Sequence, residues 1–253
     1  IQRLLVHTRQ PLEQRVVTLV DPGLPLEADG SLTLASAVNT VVKMGGGLDL
    51  RFRPEQGLLL SGPGQRADLT FAPGRSGQPV HMGPLDLEGG QTWKGMRVLK
   101  GAALNGSGLV LEGGPSKDAG ALLDLDEGVA ELNDLVLRGA GTGVGLRVAS
   151  GARMTLTGAQ VSGFATGILN EATGTLSVDR SLISGNRDWG LLSLRGDSCV
   201  QALRVYWGRP KGPEDASAAR DGCMDVAYSG GGDKVSDHVT WWPYAVDERF
   251  TPA

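Results

Sequence analysis

The amino-acid sequence predicts an all-β fold, a right-handed parallel β-helix. Three observations support this prediction. A segment of 19 residues recurs four times with starts 22 to 24 residues apart, its apolar residues alternate with a period of two, and 39 of the 253 residues are glycine. Glycine at roughly twice its usual share of about 7 % indicates many tight turns between short strands.

The four copies span 121–139, 145–163, 167–185 and 190–208, and each ends on glycine. They align without a gap, and four of their columns are mostly apolar. At the second, tenth, twelfth and seventeenth positions the columns read Leu122, Leu146, Ile168, Leu191; Ala130, Met154, Leu176, Cys199; Leu132, Leu156, Val178, Gln201; and Leu137, Val161, Ile183, Tyr206. Positions two apart face the same side of a strand, so these columns are predicted to point inward.

A repeat period in the low twenties indicates coils that stack on one another. Leucine-rich repeats have a similar length, but their fixed Leu and Asn pattern is missing. Short strands separated by glycine corners favour a β-helix, in which equivalent residues lie over one another roughly 4.8 Å apart. A slip of one residue would turn a buried column outward, so the gap-free register supports the prediction.

The N-terminal end of the stack is predicted to carry a short capping helix. In "SLTLASAVNTVVKMGGG", Ser31 to Gly47, apolar residues share one helical face and glycines follow as a stop signal. The preceding "RVVTLVDPG" is typical of a strand and a turn, and "LDLRF" is expected to be the first clear strand of the coils. One domain is therefore predicted, with a strand and capping helix in 1–46, coils in 47–208 and an aromatic C-terminal cap in 209–253.

The last 50 residues contain the pattern Trp-Gly, Gly-Pro, Gly-Asp-x-Val-Ser and Pro-aromatic. The matching residues are Trp207, Gly208, Gly212, Pro213, Gly232, Asp233, Val235, Ser236, Val239, Pro243 and Tyr244. This tail resembles that of bacterial and archaeal surface proteins with right-handed parallel β-helix repeats, of the pectin-lyase-like superfamily. Val205 departs from the usual Asn, and the insert 214–230 is longer than usual. The resemblance implies a structural end-piece at this end of the chain and does not imply an active site.

Two cysteines, Cys199 and Cys223, match no zinc-binding spacing. One interpretation is two buried thiols. The other is a disulfide between neighbouring coils, since the two residues are about one coil apart. Oxidising surroundings outside the cell would favour the bond.

The composition argues against several partners. The formal net charge is −4 with both signs interspersed, which disfavours nucleic acid. No apolar run is long enough to span a bilayer, so membrane insertion is not expected. No cofactor or metal ligand set is recognised, and His7, His81 and His238 are interpreted as isolated surface or cap residues. We expect an extracellular or cell-surface location, within a larger chain or assembly.

One mixed cluster of outward residues is the candidate for ligand binding. Its members are Asp179, Arg187, Asp188, Trp189, Arg195 and Asp197, with Arg180 beside them. The cluster is either a solvated face with weak ion pairs or a shallow glycan groove in which Trp189 stacks on a sugar ring.

Two function classes remain open from the sequence. The first is a non-catalytic module that serves as a scaffold or binds a polysaccharide or a surface protein. The alternative is a polysaccharide-degrading lyase or hydrolase, which would need two or three carboxylates converging in one groove. Asp124, Asn170 and Ser193 are predicted to share a column as a polar ladder. No catalytic residue is predicted.

Overall fold

Three parallel sheets wind around one apolar core. The computed structural model describes residues 2–4, 15–28, 30–35, 39–62, 66–74, 77–85, 92–149, 151–171, 175–194, 198–215, 222–224 and 227–253. These residues contain strands and turns but no helix, and hence no helix that could cross a membrane.

The strands are short, and most are separated by a corner of a few residues. In chain order they are β1 (Gln2–Leu4), β2 (Arg15–Leu19), β3 (Leu26–Ala28), β4 (Leu32–Ala35), β5 (Thr40–Gly45), β6 (Asp49–Phe52), β7 (Leu58–Ser61), β8 (Ala67–Ala72), β9 (Val80–Pro84), β10 (Thr92–Trp93), β11 (Met96–Val98), β12 (Ala102–Ser107), β13 (Leu109–Glu112), β14 (Gly114–Pro115), β15 (Leu123–Leu125), β16 (Val129–Asn133), β17 (Val136–Arg138), β18 (Val144–Val148), β19 (Arg153–Thr157), β20 (Gln160–Ser162), β21 (Thr166–Asn170), β22 (Leu176–Asp179), β23 (Leu182–Ile183), β24 (Trp189–Ser193), β25 (Val200–Leu203), β26 (Glu214–Asp215), β27 (Tyr228–Ser229) and β28 (Val239–Thr240).

Each coil contributes one strand to each of three sheets. Sheet one has the order β1-β3-β6-β9-β13-β17-β20-β23, sheet two β24-β21-β18-β15-β11-β7-β4, and sheet three β2-β5-β8-β12-β16-β19-β22-β25-β28. Neighbouring strands in these sheets pair in parallel, as in β16 with β19 and β19 with β22. The predicted all-β parallel β-helix is confirmed.

The inward columns stack as the repeat predicted. Leu132 pairs with Leu156 and Leu156 with Val178, and all three are at most 1 % exposed. The columns Ala130–Met154–Leu176 and Leu137–Val161–Ile183 are also continuous and buried. Removal of these side chains from water is the main favourable contribution to the stability of the fold.

The predicted register is wrong by one residue in the fourth copy. Val178 pairs with the buried Ala202, while Gln201 is exposed. The reason is the connection between β24 and β25, which holds one more residue than the equivalent connection between β21 and β22. Cys199 therefore does not occupy the inward column, and Val200 takes that place.

The first copy departs from the predicted alignment in a similar way. Leu123, not Leu122, pairs with Leu146, because the corner between β15 and β16 is one residue shorter than the corner between β18 and β19. Leu122 is nevertheless fully buried.

The predicted N-terminal capping helix is wrong for the described residues of that segment. Leu32–Ala35 and Thr40–Gly45 are strands β4 and β5, while residues 36–38 lie outside the described part. The β-branched Val41 and Val42 favour a strand, and β5 pairs in parallel with both β2 and β8. The coils thus begin before "LDLRF", which contains β6, and "RVVTLVDPG" contains the predicted strand as β2.

The C-terminal end is closed by aromatic side chains, as predicted. Trp207, Trp241 and Tyr244 are buried, and the Tyr228 ring lies 4.8 Å from the Trp241 ring. The buried Trp241 indole N–H donates to the Asp215 carboxylate at 2.8 Å. The tail also continues the winding, because Val235 bridges to Leu191 in sheet two and Val239 pairs with Val200 in sheet three.

Cys199 and Cys223 are joined by a disulfide, with their Cα atoms 5.7 Å apart. The bond links the start of β25 to the long insert that precedes the tail.

Candidate functional site

The residues of the predicted glycan groove lie at two different corners of the coils. Asp179 ends β22 at the corner between sheets three and one, where its carboxylate accepts from the Arg204 Nε at 2.7 Å and from the Arg180 Nε at 3.2 Å. The hydrogen bond between Arg204 and Asp179, together with the negative charge of Asp179, raises the pKa of Arg204.

Arg187, Asp188 and Trp189 lie together at the corner between sheets one and two. Arg187 and Asp188 form an ion pair of 2.8 Å, and the hydrogen bond from Arg187 holds the pKa of the Asp188 carboxyl below its usual value. Trp189 begins β24 and is half-buried. Arg195 and Asp197 lie outside the described residues. Sugar stacking on Trp189 stays a prediction.

The outer face of sheet two carries a compact charged network. The Asp124 carboxylate, only 3 % exposed, pairs with Arg147 at 3.0 Å and Arg97 at 3.3 Å. Arg147 also pairs with Glu171 at 2.7 Å. Partial burial acts to lower the pKa of Arg147, but the hydrogen bonds and charges of Glu171 and Asp124 outweigh it and raise the pKa. Each buried charge is thus compensated by its neighbours.

The predicted polar ladder is correct for two of its three members. The buried Asn170 pairs with Ser193 in sheet two, and its side-chain amide donates to the Ser193 hydroxyl at 3.1 Å. Asp124 does not share this column, because it pairs with Arg147 one position earlier. Its side chain therefore points to the outer face.

The outer face of sheet three carries a continuous row of polar side chains, which we call the polar row. Its members pair directly from strand to strand across all nine strands. They are Thr18, Lys43, Thr70, Asn105, Glu131, Thr155, Ser177, Gln201 and Thr240, and all are exposed or half-exposed. Seven of the nine are neutral hydrogen-bonding residues.

Small side chains flank part of the polar row and leave it accessible. Ala103 lies on one side between Asp68 and Val129, and Gly45 pairs with Ala72 on the other. Hydroxyl and amide groups on this face both donate and accept hydrogen bonds. Most members of the polar row are uncharged, and their hydrogen-bonding groups recur at the strand spacing of about 4.8 Å.

An exposed tryptophan lies at the C-terminal end of the polar row. Burial alternates after β28, so that Trp241 is buried and Trp242, two residues after Thr240, is 49 % exposed. The backbone N–H of Arg204 donates to the Pro243 carbonyl at 2.6 Å, which keeps this segment beside β25. The Trp242 ring packs edge-on against the Tyr244 ring, with centroids 5.3 Å apart, and is thereby held in place.

A cleft of about 360 Å³ lies where three successive coils turn from sheet three into sheet one. We call it the corner cleft. Its walls include Asp21, Leu24, Asp49, Arg51, Gln78 and His81. Asp49 and His81 are direct neighbours on β6 and β9, and Arg51 pairs with Asp49 at 2.7 Å. His81 is thus part of a polar cluster, not the isolated residue expected from the sequence.

Sequence reasoning missed both surfaces. The repeat contained a signal for the polar row, since Glu131, Thr155 and Ser177 lie between the two inward columns of their strands. The corner cleft is built from coils upstream of the recognised copies, where no repeat pointed to it. Among the described residues, no group of three or more His, Cys, Asp or Glu is arranged to hold a metal ion.

These observations define the chain as a parallel β-helix protein with a polar row on sheet three and a corner cleft. No protein-family model matches the chain, and no curated protein or solved structure matches it significantly.

Proposed function

We propose that this protein is a non-catalytic extracellular or cell-surface module that binds an extended glycan along the outer face of sheet three. The observation that carries the proposal is the polar row, which runs across all nine strands of that sheet. We also propose that the protein is related to pectin-lyase-like surface proteins that carry this C-terminal tail.

The chemistry of the face suits a neutral polysaccharide. A polysaccharide presents hydroxyl groups at a regular spacing, and the Thr, Ser, Asn and Gln side chains of the polar row can donate to and accept from them. Lys43 and Glu131 carry opposite charges, so the row has no net charge that would demand a charged polymer. Trp242 adds an apolar ring with a polar edge at the end of the row, where a sugar ring can pack.

The state of the acidic residues favours binding over catalysis. Hydrolysis needs carboxylates that are available to act as acid, base or nucleophile. Asp124, Asp179 and Asp188 are each held in an ion pair with arginine. Disulfides are also more common in proteins outside the cell, so the Cys199–Cys223 bond supports the proposed location.

The corner cleft is the observation that favours the alternative, a polysaccharide-degrading enzyme. It gathers two carboxylates and a histidine, Asp21, Asp49 and His81, in one concave site. Asp49 is already paired with Arg51, which leaves Asp21 and His81 for acid–base work. Incubation with uronic-acid polysaccharides, followed at 235 nm for unsaturated products, tests lyase activity, and reducing-sugar release tests hydrolysis.

Retention on insoluble polysaccharides tests the proposal directly. The wild type should be retained by at least one neutral polysaccharide of a panel, and Thr155→Glu and Trp242→Ala should each weaken retention at least tenfold. Ser162→Glu places the same charge on the outer face of sheet one and is the matched control. Retention unaffected by both variants, or no retention by any polymer in the panel, would show that this face does not bind glycans.

A further inference from the structure

The corner cleft lies apart from the outer face of sheet three, and two glycines shape its walls. A Cβ atom on Gly46 would lie 1.9 Å from the Gln78 carbonyl oxygen and 2.0 Å from the Gly74 nitrogen. Because Gly46 has no side chain, the backbone at Gln78 can approach it closely. The next coil is thereby drawn in to form one wall of the cleft.

Gly47 brings two side-chain oxygens of different coils to one point. A Cβ atom on Gly47, whose φ is +89°, would lie 2.7 Å from the Asp21 Oδ2 and 3.2 Å from the Gln78 Oε1. The Asp21 Oδ1 is occupied, because it accepts the Gly23 N–H at 2.7 Å. The Asp21 Oδ2 and the Gln78 Oε1 therefore both lie close to the backbone of Gly47, with no side chain between them.

The charge of the cleft excludes one class of ligand. Asp49 and Arg51 neutralise each other, so Asp21 leaves the cleft with a net negative charge when His81 is neutral. An anionic ligand would be repelled. Besides the Asp49–Arg51 pair, the polar groups that line the cleft are a carboxylate, an amide and an imidazole, which together accept and donate hydrogen bonds.

The remaining wall is apolar. Leu24 is 54 % exposed at the rim, and Pro25 and Pro79 lie beside it. A volume of about 360 Å³ is at the lower end of the range of roughly 300–1,000 Å³ found for small-molecule sites. A ligand that fits must be small, rich in hydroxyl groups and apolar on one side.

We propose that the corner cleft binds a single uncharged sugar residue, with its hydroxyl groups on Asp21, Gln78 and His81 and its apolar side against Leu24. The chemistry of the cleft carries this inference, which does not depend on glycan binding by sheet three. Asp21 is the central acceptor, since one carboxylate oxygen can accept from two hydroxyl groups.

The test is saturation-transfer NMR and titration with free neutral monosaccharides, namely glucose, galactose, mannose and N-acetylglucosamine. Galacturonic acid serves as the anionic counterpart of galactose. At least one neutral sugar should bind saturably, and Asp21→Asn should weaken its binding at least tenfold. Asp118→Asn, an exposed carboxylate on a distant corner, is the control and should bind like the wild type. If galactose binds, galacturonic acid should bind at least tenfold more weakly.

Three results would overturn the inference. They are the absence of saturable binding by every neutral sugar, binding that is unchanged in Asp21→Asn, and galacturonic acid binding as tightly as galactose or more tightly. The two proposals fail separately. Thr155→Glu should leave binding of the free sugar intact, and Asp21→Asn should leave retention on polysaccharide intact.

Discussion

One oxygen of the Asp233 carboxylate accepts two hydrogen bonds from Asn186, one from the backbone N–H at 3.0 Å and one from the side-chain amide at 2.9 Å. Its other oxygen accepts the Gly185 N–H at 2.9 Å. Asn186 in turn accepts the Phe164 N–H, so the chain of contacts joins the tail to two successive coils. Asp233 thus gives the Gly-Asp-x-Val-Ser turn a structural role as the anchor of the C-terminal segment.

Asp233 should make stability depend on pH in a defined direction. Burial raises the pKa of the Asp233 carboxyl, against the opposing effect of the hydrogen bonds from Asn186 and Gly185. The folded state then binds more protons than the unfolded state, so this contribution to stability falls as pH rises from the usual Asp value of about 3.9 through the raised pKa. Above that pKa it is constant.

Urea unfolding of the wild type and Asp233→Asn across this pH range checks the effect. The free energy of unfolding of the wild type, relative to the variant, should decrease with rising pH and then level off. An increase over the same range would mean that the hydrogen bonds outweigh burial. At neutral pH Asp233→Asn should still be less stable, by about 1–3 kcal/mol, because its amide N–H₂ faces N–H donors.

Ile183→Asp should prevent stable folding. Ile183 is fully buried in the column that also contains its strand partner Val161, where a carboxylate would have no partner. The free energy of unfolding should fall by about 4 kcal/mol or more. Leu182→Asp on the outer side of the same strand is the control. Thermal melts followed by circular dichroism compare them, and a variant at Ile183 that melts like the wild type would refute the inward assignment.

Asp124→Ala should destabilise the protein by about 3 kcal/mol. The substitution removes the carboxylate between Arg97 and Arg147 and leaves partly buried guanidinium groups without it. Asp179→Ala breaks a more exposed pair and should unfold at nearly the same urea concentration as the wild type. Equal midpoints for the two variants would show that burial of Asp124 carries no energetic weight.

Loss of the disulfide should lower stability by about 3 kcal/mol, since the bond closes a loop with a sequence separation of 24. The double variant Cys199→Ser, Cys223→Ser measures this loss by urea unfolding. Dithiothreitol should shift the midpoint of the wild type toward that of the variant and leave the variant unchanged. A wild-type unfolding midpoint that does not change with dithiothreitol would contradict the expectation.

The sequence predicted the fold well where strands of three successive coils align without a gap. Columns such as Leu132–Leu156–Val178 were found because burial imposes a period of two and stacking imposes a period near 23. Prediction failed where a corner gained or lost one residue, as before Val200, because a corner tolerates a change of length that a strand does not. It also failed at β5, where Val41 and Val42 fit a helical face as well as a strand, and pairing with β2 and β8 decides the outcome.

The candidate sites were harder to predict for a related reason. A binding surface on a β-helix is assembled from residues about one coil apart, such as Asp21, Gly47 and Gln78, whose spacing in sequence is irregular. The groove predicted from nearby charged residues contained Asp179 and Asp188, which the corners direct to different sides. Proximity in sequence is therefore a weak guide to proximity on the surface of this fold.

The uniform stacking of the coils makes the length of the molecule adjustable. Met154 pairs with Leu176 in the next coil, so the sequence segment 154–175 corresponds in length to one circuit. A second copy of this segment placed in tandem would lengthen the rod by about 4.8 Å and extend the polar row by one more threonine. Variants with one, two or three added circuits would differ only in the length of the polar row. Polymer binding could then be measured as a function of that length and of the number of sugars in the polymer.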